Sequence, residues 1–277
     1  MEIYVVKPGD TAESIAGAFG IPSYVLRMLN NLDEIPGLVV GQALLVLRPV
    51  RYHTVRGNET LFSIAEMYNI DLNTLYRNNP NLKGSPVIYP NQTIIVEMER
   101  NPVDSIAVNG YAYPYIDKTL LRTTLPYINY MTPFTYGITE SGSLVQLDDN
   151  ELISIAADYG VIPLMHLSTL TEAGNFSNEL ASLVLNDPVI QERLIDEILL
   201  NMSEKGYRGL DIDFEFVYPQ DSLLYGEFIG KLRDRLNPLG YQVIAALAPK
   251  TSDNQRGLLY EGHNYKAIGD KIGRAHV

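Results

Sequence analysis

The chain has no cysteine, no tryptophan and only four histidines in 277 residues. Without thiols there is no disulfide framework, no thiolate nucleophile and no cysteine metal site, and the redox compartment stays open. His53, His166, His263 and His276 are scattered and none stands at an HExxH-like spacing, so neither a metal site nor a cofactor is expected. No apolar run reaches the ~18 residues that a membrane-spanning helix needs. The N-terminal Met-Glu-Ile-Tyr-Val-Val-Lys lacks a basic region followed by a long apolar core, so no Sec-type signal peptide is expected. Cations are scarce as well: 21 Lys and Arg face 33 Asp and Glu, and the net charge of −12 falls mostly beyond residue 100. Nucleic acid, whose phosphates call for clustered cations, is therefore not an expected partner, whereas a neutral ligand such as a sugar is compatible.

What is present begins with an internal repeat. Val6-Lys7-Pro8-Gly9-Asp10-Thr11-Ala12-Glu13-Ser14-Ile15-Ala16 aligns with Val55-Arg56-Gly57-Asn58-Glu59-Thr60-Leu61-Phe62-Ser63-Ile64-Ala65, and Gly41-Gln42-Ala43-Leu44-Leu45-Val46 with Asn91-Gln92-Thr93-Ile94-Ile95-Val96. Each copy reads as a short strand, a turn, two short helices and a closing strand. Asp10 or Thr11 can cap the first helix, with Glu13 placed to answer Asp10 in a capping box. The Gly-Asp-Thr turn, Ser-Ile-Ala, the Asn30 and Asn78-Asn79 helix ends and Val-Gly-Gln before the last strand resemble LysM modules, here at 1–47 and 51–97. That resemblance implies binding of N-acetylglucosamine polymers, peptidoglycan or chitin, through Gly9, Asp10, Thr11, Pro36, Gly37 and Leu38 in the first module and Asn58 and Thr60 in the second.

After a polar linker, strand-like and helix-like segments alternate. Ser105 to Tyr111, Tyr127 to Phe134 and Val161 to Leu167 read as strands, and Lys118–Thr124, Asp149–Tyr159, Pro188–Lys205 and Ser222–Leu236 as helices. Alternation of this kind points to an α/β fold, a (β/α)8 barrel with its site at the C-terminal strand ends. Gly209-Leu210-Asp211-Ile212-Asp213-Phe214-Glu215-Phe216-Val217 reads as the fourth strand and Val243 to Ala248 as the fifth. Successive strand side chains face opposite ways, which gathers Asp211, Asp213 and Glu215 on one face. Like charges ~5–7 Å apart repel by roughly 2–3 kcal/mol at an effective dielectric of ~20, so the three should not all be ionised at neutral pH. A carboxyl held protonated beside one held ionised is what glycoside cleavage requires.

The same residues resemble the DxxDxDxE signature of family 18 glycoside hydrolases, with Arg208 where the first Asp would stand. The resemblance implies Glu215 as general acid, Asp213 as the group that orients the substrate's acetamido arm and stabilises an oxazolinium-like intermediate, and Asp211 as its support. Tyr111 and Tyr136, at or after strand ends, could stack on a sugar face. His166 is read as a satisfied polar residue, and His263 in a loop carries no assignment. LysM-like repeats before such a domain resemble spore-germination N-acetylglucosaminidases acting on cortex peptidoglycan, located in the spore coat, cortex or wall. A chitinase of similar mechanism and a non-catalytic wall-binding protein are the alternatives. Residues 103–271 fall short of the ~250 of a complete barrel and supply about five strands. The chain is therefore expected to be truncated and inactive as it stands, with 272–277 as a non-native tail.

Overall fold

The computed structural model describes residues 1–35, 37–99, 104–252, 254–272 and 274–276. It divides into two compact units, one of Met1–Val108 with Asp117–Ile128, the other of Asn109–Ile116 with Asn129–Val277.

The first unit holds the repeat. In copy one, β1 (Glu2–Val5) pairs antiparallel with β2 (Ala43–Val46) around α1 (Ala12–Phe19) and α2 (Ser23–Leu29). In copy two, β3 (Pro49–Thr54) pairs antiparallel with β4 (Thr93–Met98) around α3 (Leu61–Tyr68) and α4 (Leu72–Asn78). The expected capping box is present with other partners: Thr11 and Ser14 exchange hydrogen bonds at the start of α1, as Thr60 and Ser63 do at α3, and Glu13 is not part of it. Asp10 closes the preceding turn instead, accepting from the Lys7 amide and the Tyr4 hydroxyl, both at 2.7 Å. Glu59 does the same in copy two, with the Arg56 amide at 2.7 Å and His53 Nε2 at 2.9 Å. The turn glycines Gly9 and Gly41, at φ +86° and +91°, are matched by Asn58 and Asn91 at +70° and +69°, since asparagine also tolerates the left-handed region. In each copy one asparagine pins the second helix to the last strand. Asn30 Nδ2 donates to Leu26 O (2.8 Å) and Leu45 O (2.9 Å) while its Oδ1 accepts from Leu45 N (2.7 Å). Asn79 repeats this with Leu75 O, Ile95 O and Ile95 N at 2.8, 2.8 and 2.9 Å. Val25 and Leu47 of the first copy pack with Ile95 and Met98 of the second. The unit also contains α5 (Lys118–Thr124), followed by Pro126, whose carbonyl accepts from Arg77 Nη1 at 2.8 Å.

In the second unit β5 (Asn109–Ala112), β6 (Tyr130–Pro133), β9 (Ile162–Ser168), β10 (Gly209–Asp213), β11 (Gln242–Ala246) and β12 (Arg274–His276) form one parallel sheet in the order 12-11-10-9-6-5. The hairpin β7 (Gly137–Ile138) and β8 (Leu144–Val145) turns through Gly142, as its glycine predicts. α6 (Asn150–Asp158), α7 (Asn178–Asn186), α8 (Pro188–Lys205) and α9 (Ser222–Leu236) alternate with the strands, and α10 (Leu258–Glu261) and α11 (Tyr265–Gly269) follow β11. This is the expected α/β architecture preceded by two small α+β modules. The first strand is shorter than Ser105 to Tyr111, and β12, within the segment expected to be a tail, runs parallel beside β11. Leu210, Ile212 and Phe214 are fully buried with Leu194, Ile198 and Met202 of α8 and Phe228 and Ile229 of α9. The opposite face of β10 is thereby left to its acids. Among the described residues no helix is long and apolar enough to cross a membrane.

Candidate active site

Asp211 lies in mid-strand, opposite His166 in the β9 register, and its side chain is fully buried. Its Oδ2 accepts a 2.7 Å hydrogen bond from the Tyr111 hydroxyl of β5. Burial raises the Tyr111 hydroxyl far above its usual range, and the adjacent Asp211 charge adds to this, so Tyr111 serves as a proton donor to the carboxylate. Asp213 closes the strand, its Oδ2 3.4 Å from His166 Nε2.

The strand stops there, four residues before the expected Val217. Its last rung pairs Asp213 with Ser168, and no neighbouring strand offers backbone beyond it. Phe214 instead turns into the core and is held at three points. Its ring stacks on Tyr225 at a centroid distance of 5.5 Å, its amide donates to Tyr225 Oη at 3.3 Å, and its carbonyl meets His263 Nε2 at 3.0 Å. Because the carbonyl can only accept, His263 donates through Nε2 and accepts the Ala248 amide at Nδ1 (3.0 Å), which is the neutral tautomer. Burial lowers its pKa in keeping with that form. Gly262 presses on the same segment, where a Cβ would stand 2.1 Å from Val217 O.

Glu215 therefore projects from an anchored loop at the C-terminal end of the sheet. Burial pushes its carboxyl upward, the Asp213 charge adds to the rise, and His166 opposes it. The three acids do gather, with three environments: Asp211 buried and hydrogen-bonded, Asp213 beside an imidazole, and Glu215 partly exposed with a raised pKa. A carboxyl whose pKa is raised, beside a second carboxylate, is the setting an acid–base division for glycosidic cleavage needs. Around them the rings of Tyr111, Phe134 and His166 meet at 4.8–6.4 Å, and Tyr113 stacks on the exposed Tyr115 at 5.1 Å. No spacing in the sequence announces these rings, apart from Tyr111.

Tyr136 is a correction. It is fully buried, and its hydroxyl donates to Asp149 at 2.5 Å and accepts from Lys205 Nζ at 2.7 Å, so no sugar can stack on it. Tyr207 also donates to Asp149, and Lys205 reaches Asp149 Oδ1 at 2.6 Å. Burial works against the Lys205 charge, but its bonds to Asp149 and Tyr136 outweigh this and raise its pKa.

In the first repeat Asp10, Thr11, Gly37 and Leu38, together with Arg27 and Ile35, line an open cleft of about 240 Å³. Gly9 forms the adjoining turn, and Pro36 lies outside the described residues. Thr11 and Thr60 spend their hydroxyl oxygens on the helix caps, while Asn58 supplies the turn conformation. A cleft in the second repeat is lined by Leu82, Ser85, Val87, Tyr89 and Gln92 and by neither Asn58 nor Thr60. Among the described residues no group of three or more His, Asp or Glu side chains is arranged to hold a metal ion.

The geometry has counterparts in known proteins. Residues 4–46 and 53–97 match the LysM domain family. The chain is 33% identical over 270 residues to the putative sporulation-specific glycosylase YdhD of Bacillus subtilis, covering 97% of this chain and 63% of that protein. It is 32% identical over 276 residues to the cortical fragment-lytic enzyme of Bacillus anthracis, covering 98% and 64%. The crystal structure of the Bacillus cereus spore cortex-lytic enzyme SleL superposes with a TM-score of 0.75 at 31% identity, covering 99% of this chain and 64% of that one. A chitinase from Chromobacterium violaceum shares the fold of the second unit, with a TM-score of 0.55 at 20% identity over 61% of this chain and 55% of its own. The chain thus spans just under two thirds of the length of these curated relatives, and the likeness covers nearly all of its own length.

Proposed function

We propose that this chain is the LysM-bearing part, with the acid-bearing strands, of a glycoside hydrolase that cleaves N-acetylglucosamine-containing bacterial wall polymer, with spore cortex peptidoglycan or its fragments as substrate. The observation that carries this is the graded set on and after β10, in which Asp211 is fixed by Tyr111, Asp213 stands beside His166, and Glu215 holds its proton above the usual carboxylate range. In this mechanism Glu215 protonates the glycosidic oxygen. The substrate's own acetamido oxygen attacks the anomeric carbon with retention, and Asp213 orients that arm and stabilises the positive charge it acquires. Asp211, fixed by Tyr111, keeps Asp213 in place. The repeats hold the polymer, the first through its cleft beside Asp10 and Leu38. The cortex rather than chitin is favoured by the relatives named as cortical fragment-lytic and sporulation-specific. The protein would then work at the spore cortex or wall.

The test, made on the full-length parent, is release of reducing ends from purified cortex fragments and from chitin oligomers, with Glu215→Gln as control. Glu215→Gln is expected to lower kcat by roughly 10²–10⁴-fold while pull-down on insoluble wall polymer is unchanged. Turnover within about threefold of the parent would move the acid elsewhere. A parent that binds neither polymer would remove the assigned role of the repeats.

A further inference from the structure

His166 stands at the centre of the geometry just described, yet nothing in the proposed reaction uses it. The ring is fully buried in β9. Its Nδ1 lies 2.6 Å from Thr135 Oγ1. Its Nε2 has no hydrogen-bond partner and stands 3.4 Å from Asp213 Oδ2. Phe134, at a centroid distance of 4.8 Å, and Tyr111, at 5.4 Å, wall the ring in, so it cannot swing away to solvent without disturbing both.

The proton count follows from who can donate. Thr135 Oγ1 donates to the Tyr136 carbonyl at 3.1 Å, which can only accept, so Oγ1 is free to accept from His166 Nδ1–H. If Nδ1 carries its proton and the ring is neutral, Nε2 is a bare lone pair facing a carboxylate, two acceptors in a buried site. Nε2 then carries the desolvation penalty of an unpaired buried polar atom, whereas Asp213 is partly exposed. Relief comes from one proton in the gap, either on Nε2 or on Oδ2. If Thr135 instead turns its hydrogen toward Nδ1, Nε2 bears the proton and again donates across the gap. Every satisfied arrangement places one proton between Nε2 and Oδ2.

We propose that His166 is a positioning residue for Asp213: anchored on Thr135, it shares one proton with the Asp213 carboxylate and so fixes both its orientation and the charge that Glu215 faces. This rests on the glycosidase reading given above. The titratable groups around the ring are Tyr111 on β5, Asp211 and Asp213 on β10 and Glu215 beyond it, with Thr135 and Ser168 as the neighbouring hydroxyls. No lysine or arginine among the described residues pairs with Asp213, so the imidazole is the nitrogen base that faces it in this set. Its role is electrostatic as well as steric. The imidazole opposes the rise in the Glu215 carboxyl, which keeps the acid from holding its proton too tightly to deliver it.

The experiment uses the full chain and does not depend on turnover. Long-range 1H–15N spectra of the histidine side chains, assigned with His166→Phe, report which ring nitrogen carries a proton between pH 5 and 8. Expected is a protonated Nε2 whose titration moves when Asp213→Asn is introduced. The Glu215 side-chain 13C titration is then followed in His166→Phe, which keeps the packing and loses the nitrogen, and in His166→Gln, which returns an amide near the Nε2 position. The midpoint should rise by ~0.3–0.7 pH units in His166→Phe, the size of one screened charge contact, and less in His166→Gln. Where turnover is measurable, the alkaline limb of kcat should move the same way, with KM changed less than kcat. An unprotonated Nε2 across that range, or a Glu215 midpoint unmoved in both variants, overturns the proposal. His166→Gln serves for the assignment as well as His166→Phe, so misfolding of one variant does not decide the matter. Loss of the glycosidase reading through Glu215→Gln would leave these spectra unchanged, so the two failures are distinguishable.

Discussion

Because burial and the neighbouring Asp213 push the Glu215 carboxyl upward, the native state still holds its proton at pH values where the unfolded chain, with a value near 4.5, has released it. The sign follows: stability falls as pH rises through that window, since the folded state must give up a proton it binds more tightly. Glu215→Gln removes that cost. It is expected to melt at the parent's temperature near pH 4 and above it near pH 7.5, by less than ~1 kcal/mol because the group is partly exposed. His263 carries the opposite dependence. Its pKa lies below 6.5 in the folded state, so its contribution is complete above pH 6.5 and is lost as pH falls through the lowered value, when protonation breaks the Ala248 N–H bond. A His263→Gln variant should flatten the acid limb of the stability curve measured by thermal denaturation. Asp211 and Asp213 are legible in the sequence because strict alternation states which side chains share a strand face, whereas Glu215 lies past the strand end, where alternation no longer applies. His263 is not legible, because a loop residue declares its partners only when the chain has brought Phe214 and Ala248 to it. Tyr136 misled for a related reason: position after a strand end says nothing of whether the ring points outward or into the Asp149 pocket.

At the level of elements, helices α5, α8 and α9 lie at the bounds their caps and periodicity predict, while β10 ends early. Helix ends are written locally, in Asp187 before Pro188 and Gly206 after Lys205. A strand end depends on where its neighbours stop, which local sequence does not contain. α7, capped by Ser177, has no counterpart in the sequence reading, because its short apolar run Leu180 to Leu185 follows the polar stretch 169–177 and shows no long helical period. The loop after β10 should be sensitive to Gly262→Ala, since the added methyl meets the Val217 carbonyl. A drop of ~2 kcal/mol in stability and a fall in kcat larger than the change in KM are expected from denaturant titration and kinetics. In the repeat, Asn79→Ala removes the two bonds to Ile95 that tie the end of α4 to β4 and the one that closes on Leu75 O, leaving buried backbone groups unpaired, while Asn78 Nδ2 still reaches Val96 O. It should cost ~2–3 kcal/mol in the melt of that unit, whereas Asn69→Gly, at a left-handed helix end, should be neutral or slightly favourable.

For the whole molecule, the charge of −12 offers no attraction to an acidic wall polymer, so binding that rests on a neutral sugar should survive screening. Pull-down at 0.05 M and 0.5 M salt should differ by less than about twofold, and a steep loss would mark an ionic contact in place of a glycan cleft. The pairing of first and last strands in each repeat has a further, mechanical consequence. Glu2 stands opposite Val46, and Pro49 opposite Met98, so chain enters and leaves each repeat on neighbouring rungs of one antiparallel ladder. Tension applied through the two ends opens such a ladder rung by rung, each hydrogen-bonded pair bearing the load in turn. A parallel arrangement would load all rungs together in shear. Held to an insoluble polymer at one point and pulled at another, the repeats would therefore yield at low force and in two steps, paying out slack chain before the tension reaches the level that ruptures the parallel sheet of the second unit, and an optical-tweezers trace should record them in that order.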